Sequence, residues 1–180
     1  MKKLSAITMV LLVGIFGINT ACSDDDWEDR IRYSTGVKLL ENPVYKKECG
    51  DCHMAYHPGL LPAASWQKLM AGLEDHFDDN AELDKELAQQ ITQFLLDNSA
   101  DKSDYRRSRH FRNMAREKVV IRITELPYFI HEHDEIPARL VSGNKEVNSF
   151  SHCNACHKKA EQASFREHDI FIPGYGKWDD

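Results

Sequence analysis

The chain has 180 residues, 42% of them apolar, with a mean hydropathy of -0.54. That length suits one domain or two very small ones, and that hydropathy excludes an integral membrane protein. A formal charge of -6 at pH 7 disfavours a nucleic-acid partner, which needs a concentrated basic face.

The first element in chain order is an export signal. Lys2 and Lys3 precede an apolar run from Leu4 to Ile18, and Thr20 and Ala21 supply small residues for cleavage. The run is shorter than the about 20 apolar residues of a spanning helix. Removing residues 1–21 takes the formal charge to about -8 and sends the mature chain to the periplasm. Cys22 then stands at the cleavage site, and two readings stay open. It is the acylated cysteine of a lipoprotein, or cleavage is ordinary and the thiol is free or removed. Asn19 stands where a lipobox usually has leucine. Residues 22–42, with Asp24, Asp25, Asp26, Glu28 and Asp29, read as an acidic tail or tether.

Asn42-Pro43 is a good helix start, because proline suits the first helical turn. That helix is expected to carry Cys49-Gly50-Asp51-Cys52-His53. A second pentapeptide of the same form, Cys153-Asn154-Ala155-Cys156-His157, lies near the C-terminus. Cys-x-x-Cys-His is the attachment pattern of c-type haem. Two thiols on one turn meet the edge of a porphyrin and form thioethers with its vinyl groups. The adjacent histidine then comes under the iron as proximal ligand. A zinc site could use the four cysteines but needs no histidine after each pair. Disulfides, the usual fate of paired cysteines in an exported protein, give no reason for His53 and His157. The reading is two covalently bound haem c groups, each with its iron. Cys49, Cys52, Cys153 and Cys156 form the thioethers, and His53 and His157 are the proximal iron ligands.

His57-Pro58-Gly59 breaks the first helix. Ser65 is expected to cap the next one, where Trp66, Leu69, Met70, Leu73 and Phe77 recur at helical spacing and His76 shares their face. A further amphipathic helix carries Leu83, Leu87, Ile91, Phe94 and Leu95 and ends at Asp97-Asn98. Residues 102–118 are basic, with Lys102, Arg106, Arg107, Arg109, Arg112, Arg116 and Lys118. The plain reading is a solvated helix joining two halves; the sharper one pairs some arginines with haem propionates or a partner's acidic patch. Val119 to Ile123 suits a short strand or extended segment. A helix is expected through the second pentapeptide, and the chain closes in irregular structure. The expected fold is mainly α, a small c-type cytochrome with two haem-bearing halves. Its parts are a signal peptide at 1–21, a tether at 22–42 and a first haem-binding domain at 43–100. A basic linker at 101–118 and a second, more irregular haem-binding region at 119–180 follow.

Nine histidines are present, and seven remain after the two proximal ligands. A lone histidine is more often a surface or satisfied polar residue, but a surplus in a dihaem chain favours ligation. His76 is the first candidate for the distal ligand of haem 1, with Met70 as its rival. For haem 2, His133 is the first candidate and His168 the alternative. His131 faces away from His133 if that segment is extended, and His152 is poorly placed to reach over the ring.

These residues resemble the periplasmic dihaem cytochrome c family of proteobacteria. The matching stretches are Cys49-Gly50-Asp51-Cys52-His53-Met54-Ala55-Tyr56, Pro58-Gly59-Leu60-Leu61-Pro62, Ser65-Trp66 and Asp75-His76-Phe77. Further on they are Arg122-Ile123-Thr124, Pro127, His133, Glu135-Ile136, the second pentapeptide, Phe165, Glu167-His168 and Ile172-Pro173. The resemblance implies a low-potential electron carrier with histidine on both sides of each iron, His76 and one of His133 or His168 being distal. It also implies redox-protein partners: a membrane-bound b-type cytochrome as donor and a small oxygen-binding c-type cytochrome as acceptor. His57 and Cys22 lie outside the shared pattern.

The leading function is therefore electron transfer, with no substrate of its own. The alternative is a haem enzyme or gas sensor, which needs one five-coordinate or weakly ligated iron.

Overall fold

The first helix, α1 (Pro43–Cys49), begins where its chemistry dictates. Asn42 Oδ1 accepts the Tyr45 N–H at 3.0 Å, and Pro43 fills the first turn. The computed structural model describes residues 36–114 and 118–178. The export signal, Cys22 and the run of aspartates after it lie outside the described residues. The described chain is mostly helical, as expected for a small c-type cytochrome. α2 (Ala63–Met70) packs against α3 (Lys85–Asp97), and α4 (Arg106–Met114) against α5 (Pro127–His131). α6 (Cys153–Cys156) is a single turn. A two-residue antiparallel pair, β1 (Phe171–Ile172) with β2 (Gly176–Lys177), closes the chain.

One continuous core runs through both halves. It joins Tyr45, Leu61 and Trp66 to Ile91 and Leu95 on the inner face of α3. It then continues through Phe111 on α4, Phe129 on α5 and Phe165. A smaller cluster around Val141, Val147 and Ile172 lies under the C-terminal turns. The basic stretch is thus folded into the molecule: α4 buries Ser108 and Phe111 and turns Arg106 and Arg109 to solvent. Gly36 caps it, its carbonyl accepting the N–H groups of Arg107 (2.8 Å) and Ser108 (3.2 Å). Only glycine fits there, with φ +85° and the Arg107 side chain 2.9 Å from where a Cβ would stand.

Three expectations need correction. Ser65 does not cap α2; it is buried inside the helix, which starts at Ala63 because Asp101 reaches across to accept the Ala63 N–H at 2.6 Å. α2 also does not run on to Phe77. It stops at Met70 before Ala71-Gly72, and Leu73–Asp75 forms one 3-10 turn. His76 therefore stands in a tight turn rather than on a helix face. Its N–H donates to Asp79 O at 2.7 Å, and the Asp79 N–H returns the bond at 3.3 Å. Phe77 and Asp78 take left-handed φ of 60° and 78° to make it, a conformation costing about 1–3 kcal/mol each. Finally, the helix expected through the second pentapeptide is a single turn that ends at Cys156 and leaves His157 as its C-cap. Residues 119–122, expected as a strand or an extended segment, carry no strand, and Arg122 is extended.

Candidate functional site

The first site is built from the end of α1 and the turn after α2. The helix carries only the first thiol, since Gly50 takes its C-cap and Asp51, Cys52 and His53 follow as bends. His53 Nδ1 lies 2.8 Å from the Met54 carbonyl. A carbonyl only accepts, so Nδ1 carries the proton and Nε2 keeps a free lone pair. This is the tautomer of a metal-bound imidazole fixed by a backbone bond behind it. Facing His53 stands His76, with ring centroids 6.4 Å apart and planes at 32°. Burial, helped by His53 and Arg122, holds His76 below its ordinary value. Arg122 also lies 3.8 Å over the Phe77 ring and braces the turn.

The second site is a cavity of about 510 Å³ whose walls include Cys153, Cys156, His157 and His133. Phe129, Phe150 and Phe165 line the rest of its apolar surface. His133 Nδ1 lies 2.8 Å from the Phe129 carbonyl, which again leaves Nε2 free. Its ring is sandwiched flat on Phe129 (3.9 Å, 9°) and against the edge of Phe150 (5.6 Å, 82°). His157 faces it with centroids 6.1 Å apart and planes at 73°. Burial pushes His157 down to about 4, so its ring is neutral and can bind a metal.

A metal–imidazole bond is about 2 Å and a ring centre lies about 1 Å behind its nitrogen, so two rings sharing an iron stand roughly 6 Å apart. Both pairs meet that test. The remaining histidines are placed otherwise. His168 projects to solvent beside Asp169 (3.8 Å) and does not line the cavity. His57 Nε2 donates to Ala160 O at 2.7 Å, so the nitrogen a ligand would use is taken. His131 and His152 also line the cavity, but His152 Nδ1 donates to Val147 O and His131 is exposed; His110 stacks on Tyr128. Met70, the rival to His76, is packed against the main core. Burial pushes the Cys49 and Cys153 thiols up to about 11. Among the described residues no three His, Cys, Asp or Glu side chains converge as metal ligands.

The dihaem cytochrome c family matches residues 45–165 of the sequence. The chain belongs to the dihaem cytochrome c family. Among solved structures, the dihaem cytochrome c of Shewanella baltica is 41% identical, with a TM-score of 0.65 over 78% of this chain and 100% of that one. The dihaem cytochrome c of Rhodobacter sphaeroides is 40% identical, with a TM-score of 0.62 over 71% of this chain and 98% of the other. No curated protein matches the chain. Two covalently bound haem c groups follow from the family, and each supplies an iron that takes up and gives up one electron.

In this dihaem cytochrome c the basic stretch reaches the second cavity. Arg107 lines the second cavity, its guanidinium donating to Tyr128 Oη (3.1 Å), Glu132 Oε2 (3.1 Å) and Phe165 O (2.9 Å). Sequence reasoning assigned Arg107 no role of its own. It also missed the stacking of Phe129 on His133, which their separation of four residues could have suggested.

His57 gives a pH test independent of the irons. Burial lowers its affinity for protons below that of the unfolded chain, whose ordinary value is 6.5. The unfolded state then binds more protons as the pH falls, so stability drops as pH falls below about 6.5. Thermal unfolding of the holoprotein between pH 7.5 and 5 should show that loss, and His57→Gln should remove this component. A slope unchanged in the variant would show that His57 does not titrate on unfolding.

Proposed function

We propose that this dihaem cytochrome c is a low-potential carrier in which His53 and His76 bind the first iron and His133 and His157 the second. Cys49, Cys52, Cys153 and Cys156 form the thioethers. The observation that carries the reading is the pair of facing imidazole couples, at 6.4 Å and 6.1 Å. Imidazole on both sides leaves no vacant position for a substrate, in keeping with a carrier rather than an enzyme. It also keeps the potential below that of a methionine/histidine iron. A redox titration followed by absorbance tests this. Both haems should reduce at potentials well below those of methionine-ligated cytochromes c, with low-spin spectra throughout; a haem in the methionine range would contradict the second imidazole at that iron.

The resemblance supports a membrane-bound b-type cytochrome as donor and a small c-type cytochrome as acceptor. The export signal supports a periplasmic location, and a lipid on Cys22 would raise the local concentration of carrier beside a membrane donor. Glu74, Asp75, Asp78, Asp79 and Glu82 are all exposed around His76. This rim suits a partner with a basic face, and such steering is screened within about 10 Å at 0.1 M salt. Transfer between this protein and its partner should slow as ionic strength rises. A rate indifferent to salt would point to an apolar docking surface.

A further inference from the structure

Two consecutive residues just after the first pentapeptide grip both flanks of the second. Tyr56 Oη donates to the Ser151 carbonyl at 2.7 Å, two residues before Cys153. His57 Nε2 donates to the Ala160 carbonyl at 2.7 Å, three residues after His157. The Tyr56 ring also lies flat on His53, with centroids 4.4 Å apart and planes at 18°. Its own carbonyl accepts from Tyr45 Oη at 2.7 Å, which fixes the backbone beneath the ring. Tyr56 thus touches the imidazole of one site and the peptide that leads to the other, across 95 residues of sequence.

We propose that Tyr56 is the bridge through which the two haem sites exchange electrons, while His57 only holds the loops in register. The proposal rests on His53 being an axial ligand and on Cys153 being a haem thioether. The route leads from the His53 ring to the stacked Tyr56 ring. It crosses the Oη–H···O=C bond to Ser151 and follows two residues of backbone to the Cys153 sulfur. One electron leaves a ferrous iron, which becomes ferric, and reduces the ferric iron of the other site. No bond forms or breaks, and Tyr56 keeps its proton. A hydrogen-bonded contact shortens the gap that the electron must cross between polypeptide segments otherwise distant in sequence.

The test compares two holoproteins, Tyr56→Phe and His57→Gln, with the unaltered protein. Each variant weakens one tie from the same stretch to one flank of the second pentapeptide, but only Tyr56→Phe cuts the route, and it keeps the ring on His53. A half-reduced sample is pulsed with a photoreductant, and haem-resolved absorbance follows redistribution of the electron between the sites. Tyr56→Phe should slow redistribution several-fold with both haems still low-spin, and His57→Gln should leave it near the unaltered rate. A Tyr56→Phe rate equal to that of the unaltered protein overturns the bridge, and so does equal slowing in the two variants. The spectrum of the unaltered protein is read separately, so an error in axial ligation shows there and an error in the bridge shows only in the rate.

Discussion

Replacing His76 with alanine is expected to turn the first haem high-spin and open it to carbon monoxide, while the second stays low-spin. His76 stands across from His53 on a tight turn closed by its own bonds to Asp79. Met70, the residue that could substitute chemically, ends α2 and is packed against the core. Carbon monoxide should therefore titrate one haem per chain in the reduced variant, and added imidazole should restore the low-spin spectrum. A variant that stays wholly low-spin would remove His76 from the ligand set.

The second large effect separates the two candidates for the other distal position. His133→Ala should make the second haem high-spin and lower the stability of the holoprotein, because the ring also packs against Phe129 and Phe150. Losing that sandwich should cost about 1–3 kcal/mol in denaturant unfolding. His168→Ala should change neither spectrum nor midpoint, since its side chain is 65% exposed beside Asp169. Surface changes of that kind usually stay within about 0.5 kcal/mol. A high-spin signal in His168→Ala and none in His133→Ala would reverse the assignment.

What could be read from the sequence divides along physical lines. The two Cys-x-x-Cys-His runs are local chemistry, and local spacing suffices to recognise them. The start of α1 at Asn42-Pro43 and the end of α3 at Asn98 were legible for the same reason, because capping depends on adjacent residues. The course of the chain around His76 was not. The apolar residues Leu73 and Phe77 continue the helical period of Trp66 and Leu69, yet the backbone leaves the helix after Met70 and turns twice into left-handed φ. Periodicity reports which residues face inward and cannot see a tertiary anchor such as Arg122 stacked on Phe77. The start of α2 escaped for a similar reason, since its capping carboxylate, Asp101, lies 38 residues away. The basic stretch misled in the other direction: its charge suggested a solvated join, while Ser108 and Phe111 between the arginines seat it in the core. Choosing between His133 and His168 required knowing which ring shares a cavity with His157, a long-range fact that no spacing encodes.

Low-temperature electron paramagnetic resonance of the oxidised holoprotein reads whether each of the two irons is held between two imidazoles. The angle between the axial ring planes sets how the iron d orbitals split. Rings closer to parallel act on the same orbital and give a rhombic low-spin signal. Rings near perpendicular act on different orbitals, leave them nearly degenerate and stretch the g anisotropy. The first pair lies at 32° and the second at 73°. The expected spectrum therefore contains two low-spin signals in equal amounts, one rhombic and one strongly anisotropic. A high-spin signal accounting for a whole haem would contradict bis-histidine ligation at that site.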